Sequence, residues 1–377
     1  MKIGIITMHK VLNYGSVLQA YALQHKISEM GYESEIIDYN FPPHKVRKRT
    51  KKSLLTKLFA YVRALIMGFP HKKEVKRFAA FKAQHLRLSP KSYNADTICI
   101  NPPSYDVYMT GSDQVWNPRH IDNDSNFLLS FVPKDKPKVS YASSFATSTI
   151  PDVYKKLYSK HLSDYVSISV REPSGVKLVE DLIGKKATVC CDPVFLLNSR
   201  EWDEIEKEAT VKVPEKYILV YALYYMFDPY PELLHIIDHV QNELGCKVVY
   251  LNGRKEDAFR PKSKVMKSEG PADFIRLIKN AEIVITSSFH GTAFSLIYEK
   301  PLMAIVRESD SEDSRISSLL YRLHDEQSIV PYNKRCKLSK TQLYGLKNEK
   351  TNIESYVRES EYYLRNSLSM YKSEDRR

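Results

Sequence analysis

Thr286-Ser287-Ser288-Phe289-His290-Gly291-Thr292 gathers small hydroxyls, an imidazole and a glycine directly after the β-branched run Ile283-Val284-Ile285. Such a run reads as a strand buried on both faces. The hydroxyl residues then open a helix, predicted over Thr292–Tyr298, and Gly291 allows backbone to approach a ligand closely. Free N–H groups and the positive end of the helix dipole make a helix start of this kind an anion site. His290 in that position can give a proton or contact an anion near neutral pH. The structural alternative is a helix cap with an incidental histidine.

Three more stretches follow strand-like runs. In Ser169-Val170-Arg171-Glu172-Pro173-Ser174-Gly175, Arg171 leaves the strand end where a guanidinium can fork onto a carboxylate or phosphate. An ion pair between Arg171 and Glu172 is the competing reading. Asn13-Tyr14-Gly15-Ser16 lies between the first strand and a helix; it has one glycine and lacks the three-glycine dinucleotide fingerprint. Thr110-Gly111-Ser112-Asp113-Gln114-Val115-Trp116-Asn117-Pro118 offers a carboxylate, amides and an indole, the mix of ring stacking and placed polar groups found in sugar sites. Asp113 is its candidate general base. Asn13, Tyr14, Gly15, Gln114 and Trp116 are the candidate sugar contacts, against the reading of Trp116 as the buried centre of a structural turn. Asp122-Asn123-Asp124 sits in a polar loop, no His or Cys falls at ligand spacing, and no metal is expected.

The elements that must hold these residues alternate between strand and helix, as parallel α/β layers require. Strands are predicted at Lys2–Thr7, Ser34–Asp38, Asp106–Met109, Val139–Ala142, Val166–Val170 and Thr188–Cys191, with helices at Pro151–Ser163 and Ser174–Ile183. A second series follows the polar Asn198–Glu215: Tyr217–Ala222, a helix at Pro231–Leu244, Lys247–Leu251, a helix at Ala272–Asn280, Ile283–Thr286 and Leu302–Val306. A short helix is predicted at Asp313–Leu323 and a polar terminal helix at Ile353–Met370. The expectation is two Rossmann-like parallel-sheet α/β domains facing a cleft: residues 1–200, 201–345, and a terminal helix and tail over 346–377. Ligands of such sheets bind outside the carboxyl ends of the strands, where all four motifs lie.

Composition fits this. With 377 residues, 43% hydrophobic and 27% charged, the chain has ample core for two domains. Five Cys at unpatterned positions read as buried free thiols in a reducing cytoplasm. Leu58–Val62 and Ala64–Phe69 are too short to span a membrane, and the first residues read as a strand rather than a leader. The net charge of +12 is local: from Lys45 to Arg87 fourteen Lys/Arg meet the single acid Glu74, leaving the remainder at −1. This insertion, placed at 42–89, has an apolar face through Leu54, Leu55, Leu58, Phe59, Val62, Leu65 and Ile66. A basic amphipathic helix over Leu54–Ile66 reads as a contact with an anionic membrane. Packing of that face on the protein is the alternative. Nucleic-acid binding is the rival use of the charge, but aromatic interleaving is sparse and no nucleic acid is expected as a partner.

Four motifs in one order carry a resemblance. NYGSVLQAYAL at Asn13–Leu23, TGSDQVWNP, SVREPSG, and ITSSFHGTAFSLIYEKP followed by DSRI at Asp313–Ile316 resemble the polysaccharide pyruvyl transferase family, over roughly 1–40 and 105–323. The resemblance implies the GT-B-like architecture of two-Rossmann-domain glycosyltransferases with the donor in the C-terminal half. It implies phosphoenolpyruvate as donor with no further cofactor, and a surface-polysaccharide sugar, often galactose or a mannosamine, as acceptor. His290 matches the family's essential histidine and Arg171 its donor-binding arginine. Ser287, Ser288, Gly291, Thr292 and Arg315 complete the expected donor site. Many relatives carry Arg two positions before that histidine, where this chain has Ser288, so donor charge must be met elsewhere, by Arg315, Arg307 or Arg254. His290 is then the expected acid and Asp113 the base, acting on a lipid-linked acceptor at the inner membrane face. A nucleotide-sugar glycosyltransferase on the same scaffold is the nearer alternative.

Overall fold

Runs of mostly apolar, buried residues form the centre of two parallel sheets. The computed structural model describes residues 1–41, 71–121, 124–224, 227–307, 315–333, 337–346 and 350–371. In the first sheet the order is β3-β2-β1-β4-β5, from β1 (Lys2–Ile6), β2 (Glu33–Tyr39), β3 (Leu88–Tyr93), β4 (Val107–Thr110) and β5 (Lys138–Ser140). A two-stranded ribbon, β6 (Ser169–Val170) with β7 (Thr188–Val189), extends it through single bridges at Val139–Ser167 and Ser143–Val170. The second sheet runs β10-β9-β8-β11-β12-β13, from β8 (Tyr217–Tyr221), β9 (Lys247–Leu251), β10 (Ser263–Met266), β11 (Ile283–Thr286), β12 (Leu302–Val306) and β13 (Ile329–Pro331). Every pairing is parallel.

The expected α/β architecture is therefore present, and in each sheet the strand order reverses beside the founding strand. β1 lies between β2 and β4, and β8 between β9 and β11. Loops that leave β1, β4 and β11 thus diverge around a crevice at their carboxyl ends. The first helix, Tyr14–Glu29, starts because Asn13, in extended conformation, accepts the N–H groups of Gly15 and Ser16 on its side chain. It ends at Gly31, whose φ of +83° suits glycine.

One apolar core is shared by the two sheets. Tyr14 is 1% exposed and stacks on Phe274 of the helix Pro271–Lys279, with ring centroids 4.9 Å apart and planes 6° from parallel. Tyr221 and Phe78 complete the aromatic cluster around it. Tyr14 was the expected sugar contact; the structure instead makes it a core residue.

Two further segments tie the halves. The helix over residues 71–85, the described part of the basic insertion, buries Phe78 and Phe81. It pairs Arg77 with Asp273, and His85 with Glu208 at 2.9 Å. Lys72, Lys73 and Lys76 stay exposed, while the membrane helix expected at Leu54–Ile66 lies outside the described residues. The last helix, Lys350–Ser369, returns to the first sheet. Its Ser360 hydroxyl accepts from Cys191 N at 2.8 Å, and the Tyr363 hydroxyl donates to the Ser140 carbonyl at 3.0 Å.

Other expectations shift locally. The polar 198–215 stretch contains a helix, Ser199–Glu206, started by an Asn198 capping box. Asp124 is buried and takes the Tyr39 hydroxyl and the Asn126 N–H groups, a structural role. Cys190, Cys191 and Cys246 are buried free thiols, and burial pushes the first two up to about 12; Cys99 is exposed, contrary to expectation, and Cys336 lies outside the described residues. Among the described residues no helix is long and apolar enough to cross a membrane. Tyr14→Ala is expected to lower unfolding stability by about 3–5 kcal/mol, the cost of emptying an aromatic site in a core, and denaturant titration measures it. A loss below about 1 kcal/mol would show that the shared core does not depend on this ring.

Candidate active site

Three loops at strand ends build the site. After β4 the chain turns sharply through Asp113, which holds φ of +74°, a left-handed conformation that costs a non-glycine residue energy. The turn aims its carboxylate back at the first helix: Oδ2 takes the Ser16 hydroxyl, and Oδ1 takes the Gln114 N–H at 2.8 Å. After β11, Ser288 caps the helix Phe289–Ile297 by accepting Gly291 N–H at 3.2 Å. That helix begins three residues before the predicted start, because Ser288 rather than a later hydroxyl serves as cap. His290 therefore sits inside its first turn. The Ser288 carbonyl takes Thr292 N–H, leaving the N–H groups of Phe289 and His290 as the open donors of that turn among the described residues.

The two halves meet at His290. A Cβ built on Gly15 would fall 1.9 Å from His290 Nδ1 and 2.6 Å from its Cβ, so only glycine admits the imidazole here. Gly291 likewise leaves room for Thr286 Oγ1, which a Cβ would meet at 2.4 Å.

Behind the imidazole lies a buried charge network. Asp192 follows β7 and caps the short turn Pro193–Leu196, accepting Val194 N–H at 3.1 Å. Its Oδ2 takes Arg171 Nη1 at 2.7 Å and the Ser112 hydroxyl at 3.1 Å, and stands 3.5 Å from His290 Nε2. The Arg171 guanidinium also lies 4.3 Å over the Phe289 ring. Glu172 braces the neighbouring loop by accepting Ser144 Oγ and Ala146 N, both at 2.7 Å. Burial alone would raise the Asp192 pKa; the positive charges of His290 and Arg171, and the hydrogen bond from Arg171, outweigh it and hold the carboxyl well below the ordinary range. Asp113 behaves alike, burial being overcome by His290 and Arg171 and by bonds from Ser16 and Gln114. Arg171 stays charged against burial because Asp192, Glu172 and Asp113 surround it.

These loops enclose a cavity of about 550 Å³. Of the sequence-predicted residues, Asn13, Asp113, Gln114, Ser288, His290 and Arg315 line it. Both terminal nitrogens of Arg315 come within 3.2 Å of the Gln114 carboxamide, turned so that its oxygen accepts them. Gly15, Arg171, Ser287, Gly291 and Thr292 form the layer behind the wall; Ser287 Oγ, for example, takes Leu223 N–H at 2.8 Å. Trp116 joins Tyr14 in the core: it is fully buried and gives its indole N–H to the Phe127 carbonyl at 3.1 Å, so it offers no ring face to a sugar. Arg254 stacks on Tyr224 and Tyr230 and pairs with Asp228, and neither it nor Arg307 lines the cavity.

Sequence reasoning missed Asp192 and Arg119, and gave Ser16, though within the Asn13–Ser16 motif, no role of its own. Asp192-Pro193 directly follows a strand-like run, the same signal used for the other motifs. Arg119, exposed on the cavity wall, is the first residue past Pro118. Among the described residues, the group with metal-ligand spacing is His25, Glu29 and Glu201, none of which lines the cavity.

The family model described as polysaccharide pyruvyl transferase matches residues 13–309. No curated protein sequence matches the chain. Among solved structures, a putative UDP-N-acetylglucosamine 2-epimerase from Listeria monocytogenes aligns with a TM-score of 0.53 at 10% identity, covering 99% of this chain and 90% of that one. An E. coli structure titled trehalose-6-phosphate, bound with UDP-2-fluoro glucose, gives 0.52 at 9% identity with 99% of both chains covered. UDP-N-acetylglucosamine 2-epimerase from Rickettsia bellii gives 0.51 at 11%, covering 100% and 98%. These likenesses show the fold, GT-B, as expected. Gly15→Ala is expected to turn the His290 ring off its seat and to cost about 1–3 kcal/mol through overpacking. A crystal structure of the variant checks this, and an unmoved imidazole would contradict it.

Proposed function

We propose that this chain, which belongs to the polysaccharide pyruvyl transferase family, moves the three-carbon unit of phosphoenolpyruvate onto two hydroxyls of one sugar as a cyclic ketal. The supporting observation is that His290 and Asp113 face a single cavity whose walls also carry Arg315 and Arg119. A proton donor, a carboxylate and two guanidiniums are the groups that this reaction uses.

In the balanced reaction His290, as imidazolium, protonates the methylene carbon, which becomes the methyl group. Cationic character develops at C2, and one sugar hydroxyl adds there as its proton leaves. The second hydroxyl displaces phosphate from the same carbon. Of the two hydroxyl protons, one restores the imidazolium and the other leaves with phosphate. Arg315, Arg119 and the open N–H groups of Phe289 and His290 would receive the phosphate and carboxylate. They take the place of the arginine that Ser288 replaces. Asp113 is ionised and weakly basic, so it stabilises the cation at C2 and orients the attacking hydroxyl, with proton acceptance late in the step. Asn13 and Gln114 are the acceptor contacts left on the wall once Tyr14 and Trp116 are core residues.

The rival reading, transfer from a nucleotide sugar, draws on the shared fold alone. Incubation with phosphoenolpyruvate or UDP-sugars and a panel of glycans separates the two. The expected result is phosphate release coupled to a ketal-bearing product, reduced about 10²–10⁴-fold in His290→Ala. Turnover kept in that variant, or consumption of UDP-sugar in place of phosphoenolpyruvate, would sink the assignment.

A lipid-linked acceptor and a peripheral membrane contact belong to the same proposal. Their support is the charge of +13 between Lys45 and Arg87, of which Lys72, Lys73 and Lys76 are exposed. In vesicle flotation the protein is expected to rise with anionic vesicles, and to be released by salt. Equal recovery with neutral vesicles would remove the electrostatic part.

A further inference from the structure

We infer that Asp192 is the positioning residue of His290, fixing its Nε2–H toward the interior so that Nδ1 is the nitrogen presented to the cavity. For its kinetic consequence alone this rests on the pyruvyl-transfer reading.

The argument is geometric. His290 lines the cavity, yet its Nε2 is sealed from solvent and makes no hydrogen bond. The group it faces is Asp192 Oδ2, at 3.5 Å, on a side chain with no exposed surface. That distance is long for a hydrogen bond, but catalytic bonds often tighten only around bound substrate. The opposite edge of the ring, carrying Nδ1, rests over Gly15 at the mouth of the first helix, next to the cavity-lining Asn13 and Ser16. Nε2 is the sealed, unpartnered nitrogen, so Nδ1, beside the cavity-lining Asn13 and Ser16, is the one assigned to the substrate.

Asp192 is itself held rigidly. Val194 N–H fixes Oδ1, while Arg171 Nη1 and Ser112 Oγ fix Oδ2. The charged groups near this pair are Arg171 and Glu172 after β6 and Asp113 after β4. Arg171 lies outside the main cavity, and among the described residues its Nε and Nη2 make no hydrogen bond, Nε standing 3.9 Å from Glu172 Oε2. Its geometry fits action through Asp192, as the group that keeps a buried carboxylate ionised. A carboxylate that orients an imidazole and compensates its positive charge is the general arrangement of base and orienter in nucleophile sites. Here it would serve an acid.

Nitrogen-15 NMR of protein labelled at histidine, with the His290 resonances assigned by their loss in His290→Gln, reads the ring directly and needs no substrate. Wild-type His290, once neutral, is expected as the Nε2–H tautomer. Asp192→Asn, whose amide can donate to Nε2, is expected to move the population to Nδ1–H. Its kcat for phosphate release is expected to fall about 10²-fold or more, with KM for phosphoenolpyruvate within about threefold. A wild-type Nδ1–H tautomer overturns the inference even where the variant does not fold. So does a folded Asp192→Asn protein with wild-type tautomer or kcat. If the wild type consumes no phosphoenolpyruvate, the transfer reading fails, and the tautomer alone then decides the role of Asp192.

Discussion

The imidazole of His290 rests on the bare Cα of Gly15, and this contact sets how closely the two sheets stand. It depends on three consecutive residues at the start of one helix. Successive helical residues point about 100° apart, so Tyr14, Gly15 and Ser16 face three directions. Tyr14 enters the shared core against Phe274, Gly15 receives the imidazole, and Ser16 gives its hydroxyl to Asp113. One turn of helix therefore joins packing between the halves, the placement of the acid and the placement of the carboxylate.

The second constraint is electrostatic. Asp113, Arg171, Glu172, Asp192 and His290 are all buried, and an unpaired charge at such depth costs several kcal/mol. Arg171 offsets one of the three carboxylate charges and His290, when protonated, a second; hydrogen bonds from Ser16, Ser112, Ser144 and backbone N–H groups hold the remainder. Such a cluster is weak evidence for stability and stronger evidence for a fixed geometry. The rigidity has a use, since positioning a reacting group to within a fraction of an ångström is where much of a barrier is removed.

Much of this was legible in the sequence, for physical reasons. Central parallel strands are apolar on both faces, so β1, β4, β8, β9, β11 and β12 were visible as runs, and the loops after them were the places to look. The unread strands β3, β10 and β13 are all sheet edges. With one flank open, β3 tolerates Pro90 and Lys91, and β13 ends in Pro331. Tyr14 and Trp116 misled because an aromatic ring beside a polar turn looks the same whether it points inward or outward. Asp192 was hidden for another reason. Its importance lies in contacts with Ser112, Arg171 and His290, far from it along the chain. The switch from an expected helix start at Thr292 to one at Phe289 was a matter of which hydroxyl caps. Composition offers several, and only the turn geometry chooses.

The return of the last helix to the first sheet has a mechanical consequence. The chain passes between the halves near Leu197–Ser199, and the helix Lys350–Ser369 ties back to the first sheet, so they are joined like a door on two pins. Two bodies joined at one point can swivel in any direction, whereas two points leave a single axis. Arg77 and His85, gripping the second half from the helix over residues 71–85, act as a latch on that door. Any opening of the crevice would therefore have to lift His290 from Gly15 about that one axis.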